Sequence, residues 1–283
     1  MKLALKVSSF LALFASFSLV ASCSSGRVSA SGGDLTQIYE KGSIVIGTNA
    51  EYPPFEFVGC KTKILGMCFE EELQGLDIEI AKLIGKELST QAGKTVDVHF
   101  KNMDFDGLIG SLQAEEIDLI AAAFSSTEER DQVVDFSNTY YTAQTVLVVS
   151  ETSTIDELSD LTGKTLGAQL GTVQEWMASD VVGESGTVKA LADLSTLVLD
   201  ILAGNNDGLL VELPVANTIL GANPSLKIVE GLTFPDDDGY AFATLNGQQA
   251  LLDVVNTVIT QITSDGTLYE LYTQAVEDAA AAS

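Results

Sequence analysis

At 283 residues, 46% of them hydrophobic, the chain is long enough for two modest domains or one large one, and its composition is that of a globular protein. Its 40 acidic against 14 basic residues give a net charge of −26, a surface that repels nucleic acid and anionic lipid and suits solubility outside the cell. One histidine and three cysteines are too few to suggest a metal centre, and no metal or cofactor is expected.

The N-terminus has the pattern of an exported chain. Lys2 and Lys6 precede an apolar stretch over residues 7–20, the length of a signal-peptide core and short for a bilayer span. It ends in Val20-Ala21-Ser22-Cys23, which resembles the bacterial lipobox, where cleavage precedes the cysteine and a lipid is attached to its thiol. Residues 1–22 are therefore expected to be a lipoprotein signal peptide and Cys23 the lipidated residue; an ordinary secretory signal with an incidental Cys23 is the alternative. Cleavage there leaves 12 basic residues against 40 acidic ones, since Lys2 and Lys6 are lost and no acid is. Residues 24–34 are mostly small, so 23–40 is expected to be a flexible tether. No later apolar run approaches membrane-spanning length, which leaves a soluble body held to a membrane through Cys23.

The body begins with a short buried strand, Ile44-Val45-Ile46, ending at Gly47. Cys60 and Cys68 flank a loop-like segment, and in an exported protein two cysteines this close are expected to pair, two free thiols being the alternative. From Leu76, apolar residues recur at Ile80, Leu83, Ile84 and Leu88 with helical spacing. Residues 95–100 alternate, with Val96, Val98 and Phe100 on one face; a helix over about 106–115 and a strand over 117–123 follow. The order β-α-β-α-β predicts a largely parallel sheet flanked by helices. The pattern then restarts: a strand at 146–149, a helical turn at Leu158, a strand at 164–168, a helix opened by Gly171-Thr172, a helix near 194–203, a strand at 208–211, a helix from Pro214 and a strand at 226–229. Pro235-Asp236-Asp237-Asp238-Gly239 breaks the chain, a strand resumes at 240–244, and a long helix runs from Gln248.

Seven segments, in order, carry a resemblance. They are Gly47-Thr48-Asn49-Ala50-Glu51-Tyr52-Pro53-Pro54-Phe55-Glu56-Phe57, Gly75-Leu76-Asp77-Ile78-Glu79-Ile80-Ala81, Met103-Asp104-Phe105-Asp106-Gly107-Leu108-Ile109, Ser125-Ser126-Thr127-Glu128-Glu129-Arg130, Val134-Asp135-Phe136-Ser137, Gly171-Thr172-Val173-Gln174-Glu175 and Ser264-Asp265-Gly266-Thr267-Leu268-Tyr269. Together the chain resembles the family 3 extracytoplasmic amino-acid-binding proteins of ABC transporters, in lipoprotein form. The resemblance implies an α/β fold, a two-lobe clamshell of the type II periplasmic-binding kind, each lobe a mostly parallel sheet flanked by helices. It places lobe 1 at 41–141 and 240–283, lobe 2 at 145–236, and a hinge at 142–144 and 237–239. It also implies a monomer that binds a free amino acid and delivers it to a permease.

The site follows from the resemblance, residue by residue. Arg130 would hold the ligand carboxylate with a two-pronged, charge-assisted pair, aided by Ser125 and by Thr172 and Val173 at a helix N-terminus. Thr172 with Glu175 also fits a capping box. Glu212 takes the place of the family's aspartate as acceptor for the ligand ammonium, with one more methylene, and the Ala123 carbonyl is the other acceptor. Tyr52 and Phe105 would sandwich the ligand side chain. Asn49 and Gln169 line its far end. Asn49 stands where histidine and lysine binders often place an aspartate, and Gln169 where a glutamine- or glutamate-selective member can place a lysine. Two aromatic walls and two amides suit a flat delocalised cation, so arginine is expected, with similarity to arginine-binding members, and a neutral polar ligand such as glutamine is the alternative.

Two other classes compete. A few periplasmic dehydratases share this fold, but the sequence has no nucleophile elbow, no Cys-x-x-Cys and no glycine-rich phosphate loop, and His99 falls on the polar face of its strand. No catalysis is expected. A surface adhesin lipoprotein would not need the pocket residues.

Overall fold

The computed structural model describes residues 34–64, 67–142, 144–232, 234 and 239–282. The expected signal peptide, Cys23 and most of the expected tether lie outside the described residues. The last part of that tether is a correction: Thr36–Lys41 forms a helix, α1, which buries Ile38 and ends on Gly42 in the left-handed region at φ 68°. Leu35, Ile38 and Tyr39 give it an apolar side that packs on the core, which the small residues before it lack.

Strand β1 (Ser43–Thr48) leads into β2 (Glu51–Tyr52), β3 (Glu56–Ile64) and β4 (Met67–Gln74). Strands β2 to β4 form a small antiparallel sheet where the sequence suggested a loop, and a Cys60–Cys68 disulfide with Cα atoms 5.6 Å apart staples β3 to β4. The hairpin escaped the periodicity reading because its register is irregular around Thr62 and the run Glu70-Glu71-Glu72 breaks apolar alternation.

Helix α2 (Leu76–Ala92) buries Leu76, Ile80, Ile84 and Leu88, the expected stripe. It is followed by β5 (Asp97–Asn102), α3 (Leu108–Gln113), β6 (Leu119–Ile120), α4 (Glu128–Asp131) and β7 (Val134–Phe136). The second half holds β8 (Thr145–Ser150), β9 (Thr165–Gln169), α5 (Val173–Val182), β10 (Thr187–Leu191), α6 (Leu194–Leu202), β11 (Gly208–Glu212), α7 (Leu213–Ala222) and β12 (Leu226–Ile228). The chain returns through β13 (Ala243–Leu245), α8 (Gln249–Ser264) and α9 (Thr267–Ala282). The single long helix expected at the end is two, broken at Gly266, whose φ of 84° no continuous helix accommodates. Among the described residues no helix is long and apolar enough to cross a membrane, and no group of three or more His, Cys, Asp or Glu is placed to hold a metal ion.

Two five-stranded sheets with their helices make two lobes. Their orders are β5-β1-β6-β13-β7 and β10-β9-β11-β8-β12. Each is mixed but mostly parallel, four of its five strands pointing one way: β1 pairs in parallel with β5 and β6, and β9 with β10 and β11, whereas β13 and β8 run antiparallel to both their neighbours. The reason is the route. Helical crossovers lay down parallel strands, while β8 and β13 each follow a segment that crosses between lobes. The crossing segments lie side by side, the Tyr240 N–H donating to the Tyr141 carbonyl (2.8 Å) and the Tyr140 N–H to the Tyr240 carbonyl (3.0 Å). Phe55 packs edge-on against Tyr141 and Tyr240 with centroids 5.1 and 5.0 Å away, so the crossing is cemented by aromatic contact.

The disulfide closes a short loop, and by chain entropy such a closure contributes about 2–3 kcal/mol. Thiol titration of denatured, unreduced body should find neither Cys60 nor Cys68 free, and Cys60→Ser with Cys68→Ser should lower the unfolding free energy by about that amount. An unchanged denaturation midpoint would show that the hairpin melts independently of the body.

Candidate functional site

The strand ends of both sheets bring the expected residues to one cavity between the lobes. Tyr52, Phe105, Ala123, Ser125 and Arg130 line it from the first lobe, and Gln169, Thr172, Val173 and Glu212 from the second. Ala122 and Gln174 line it as well and were not singled out from the sequence. Asn49 stands behind this lining: its side-chain amide donates to the Met103 carbonyl at 2.9 Å, and its oxygen accepts from Gln169 Nε2 at 2.8 Å. Gln169 Nε2 also donates to the Ala192 carbonyl at 3.0 Å. The two amides expected at the far end are thus engaged chiefly with each other and with backbone.

Arg130 sits in α4, whose Thr127 cap accepts the Arg130 N–H at 3.3 Å. Its guanidinium is buried, lies 4.1 Å from the Phe124 ring centroid and 5.4 Å from that of Phe105. Nη1 donates to the Ser125 carbonyl at 2.7 Å, and Nη2 reaches the other lobe to donate to the Gly171 carbonyl at 3.0 Å. Phe124 as the surface under the guanidinium was not foreseen; the aromatic one residue before Ser125 was its signal. Gly171 is glycine for a steric reason: at φ 80° a Cβ would come within 3.0 Å of Asp106 Cβ in the facing lobe.

The expected capping box does not form. Thr172 is the N-cap of α5, but its hydroxyl donates to the Gln169 carbonyl at 2.7 Å and caps no helix N–H. Glu175 reaches back to the Gly171 N–H at 2.7 Å, one residue short of the cap. The tight turn from Gln169 to Thr172 offers that hydroxyl a nearer partner than the helix does.

Glu212 ends β11 at the N-cap position of α7, buried and without a side-chain bond to the helix, and accepts a hydrogen bond from the Tyr52 hydroxyl. Burial first, then the Glu212 charge, pushes the Tyr52 phenol well above its usual range, so it remains a donor. Behind them lie two carboxyls whose part the sequence did not reveal. Glu56 is buried, and burial, then Asp77, then Glu212 hold its carboxyl well above the ordinary range. Asp77 is pushed up to about 7 by burial, against the opposing hydrogen bonds from Tyr140 and the Ala123 N–H. Both lie within the quoted motifs, Glu56 at the end of the first and Asp77 in the second.

Among the described residues, hydrogen bonds link the lobes around this cavity from Tyr52 to Glu212, from Gln169 to Asn49, from Arg130 to Gly171, and from the Leu194 N–H to Glu51 Oε2 at 3.1 Å.

The model of the bacterial extracellular solute-binding proteins, family 3, matches residues 44–277. The arginine-binding extracellular protein ArtP of Bacillus subtilis (strain 168) is 32% identical over 260 residues, covering 90% of this chain and 91% of that protein. Among solved structures, the amino-acid ABC transporter substrate-binding protein AbpA of Streptococcus pneumoniae bound to L-arginine superposes with a TM-score of 0.78 at 32% identity, over 86% of this chain and 98% of that one. An ancestral arginine-binding protein bound to glutamine gives 0.70 at 33% identity, over 82% and 97%. These relatives bind solutes, and the two solved structures share the two-lobe fold of this chain.

Asp77 titrates near 4 in an unfolded chain and about 7 here, so between those values the folded state holds the proton more tightly. Its contribution to stability is present below pH 4 and is lost as pH rises through 7. Asp77→Asn abolishes that loss, and its stability relative to wild type should therefore climb between pH 4 and pH 7. Urea titrations across this range measure the difference; a difference that stays flat would refute the buried-acid assignment.

Proposed function

We propose a function from the premise that this chain belongs to the bacterial extracellular solute-binding proteins, family 3: it captures a free L-amino acid, arginine, between its lobes and delivers it to an ABC transporter permease. The observation that carries this reading is a pair of opposite charges on one cavity, Arg130 from the first lobe and Glu212 from the second, both buried. A zwitterion needs both ends satisfied when it leaves water. The ligand carboxylate replaces the Gly171 carbonyl on Arg130, joined by the free N–H groups at the start of α5. The ligand ammonium replaces the Tyr52 hydroxyl on Glu212, and the Ala123 carbonyl is its second acceptor. Tyr52 and Phe105 flank the side chain.

Arginine is supported by the acids at the cleft edge. Glu51, Asp104 and Asp193, drawn from both lobes, lie close enough to raise the Glu51 carboxyl, although burial is the larger cause. A cation entering there relieves the repulsion. Glutamine is the second reading, favoured by the Asn49–Gln169 amide pair, which suits a neutral amide. The lobes run over 41–141 with 240–283 and over 145–236, with 142–144 and 237–239 as the hinge. Removal of residues 1–22 and lipidation of Cys23 would hold the monomeric body at the outer side of a membrane, tethered by the residues before α1.

A thermal-shift panel of the common amino acids tests the assignment. Ligand at about a hundred times Kd adds about 2.7 kcal/mol, or about 5–10 °C for a body of this size. Arginine should give such a shift; a shift with glutamine and none with arginine reverses the order, and one with glutamate defeats the charge argument. Arg130→Ala should weaken binding by about 3–5 kcal/mol, a hundred- to several-thousand-fold. Arg130→Lys should recover part of that loss, because lysine keeps the charge and lacks the fork. Calorimetric affinity of the alanine variant within threefold of wild type would place the carboxylate elsewhere.

A further inference from the structure

Ala123 has a backbone conformation that its side chain disfavours. It stands at φ 43°, in the left-handed region, where an alanine costs about 1–2 kcal/mol. Something has to hold it there. The Ala123 N–H donates to Asp77 Oδ2 at 2.8 Å, a charge-assisted bond in a buried setting whenever the carboxyl is ionised. Asp77 is itself held by the Tyr140 hydroxyl, which lies 2.6 and 2.7 Å from its two oxygens. Tyr140 in turn belongs to the crossing segment, its N–H on the Tyr240 carbonyl. Among the described residues the Ala123 carbonyl accepts no hydrogen bond, although the residue is buried and lines the cavity. A buried carbonyl in that condition calls for a donor.

We propose that Asp77, backed by Tyr140, is a positioning residue of the ammonium subsite: it holds Ala123 in the left-handed conformation in which its carbonyl meets the ligand's α-ammonium. This rests on the cavity being the amino-acid site. The subsite then has two arms of like construction. Glu212 comes from the second lobe and is steadied by a tyrosine hydroxyl of the first, Tyr52. Ala123 comes from the first lobe and is steadied by an aspartate that a second tyrosine hydroxyl, Tyr140, fixes in turn. Asp77 does not touch the ligand. It acts on one end of it, and that separates a positioning role from a structural one.

The test compares L-arginine, or L-glutamine if the panel selects it, with the matching α-hydroxy acid, in which a hydroxyl replaces the ammonium. Wild type, Asp77→Ala, Asp77→Asn and Tyr140→Phe are each titrated calorimetrically with both ligands. Asp77→Ala should lose at least tenfold in affinity for the amino acid and less than threefold for the hydroxy acid, so the preference for the amine collapses. Asp77→Asn keeps an oxygen for the Ala123 N–H and should restore most of the preference. Tyr140→Phe should lower it at least threefold. Equal losses for both ligands, or a preference within twofold of wild type in Asp77→Ala and Tyr140→Phe, would overturn the proposal. If Asp77→Ala does not fold, Tyr140→Phe decides by the same criterion. A wild type that binds neither ligand overturns the amino-acid reading itself, a result distinct from an unchanged preference in the variants.

Discussion

A buried guanidinium has to find oxygen on every edge it presents, and Arg130 finds it in both lobes. One nitrogen takes the Ser125 carbonyl of its own loop and another takes the Gly171 carbonyl across the cleft, while the plane of the group lies over Phe124. Much of the local design follows from keeping those partners within reach. Gly171 suits its φ of 80°, and a side chain there would crowd Asp106 as well. Thr127 caps the short helix that carries Arg130. The Ser126 N–H is tied to the Gly239 carbonyl on the returning strand, which anchors the loop to the crossing. A cation so placed is held by backbone oxygen from both lobes at once.

The opposite side of the cavity is built from acids, at a cost in stability. Glu56, Asp77 and Glu212 are all buried; at Glu56 the charges of Asp77 and Glu212 add to desolvation, and at Asp77 desolvation outweighs two hydrogen bonds. Apolar residues of similar volume would stabilise this region more. Of the three only Glu212 lines the cavity; Glu56 and Asp77 stand behind it, Asp77 on the Ala123 N–H and the Tyr140 hydroxyl. The two tyrosine hydroxyls share the burden by donating to Glu212 and Asp77.

Much of this was legible in the sequence, for reasons that can be stated. The stripe from Leu76 to Leu88 and the runs Ile44-Val45-Ile46 and 146–149 carried their periodicity openly because they bury one whole face or both. Arg130, Tyr52 and Glu212 were found by motif; their local patterns alone suggested nothing more than a charged helix, a core aromatic and a strand-end acid. What was hidden depends on partners far along the chain. Asn49 is drawn away from the cavity lining by Met103 and Gln169, 54 and 120 residues on. The antiparallel setting of β8 and β13 depends on where the chain crosses between lobes, which no window of residues records. Asp77 reads as one polar residue at a helix start until Ala123 and Tyr140 are seen beside it.

The position of β13 in the first sheet bears on how the chain reaches this state. It lies between β6 and β7, yet it follows them by more than a hundred residues, after the whole second lobe. A chain that emerges N-terminus first therefore presents β6 and β7 with a gap between them, and neither can pair toward the other until residue 243 arrives. The second lobe, from β8 to β12, is one uninterrupted stretch and can close on itself earlier. The order of completion is thus the reverse of the order of synthesis. During export the first lobe waits as an unfinished sheet with open edges, the kind of surface that strands of neighbouring chains can join, so a truncation before Ala243 leaves a half-built lobe prone to aggregate and no smaller functional body.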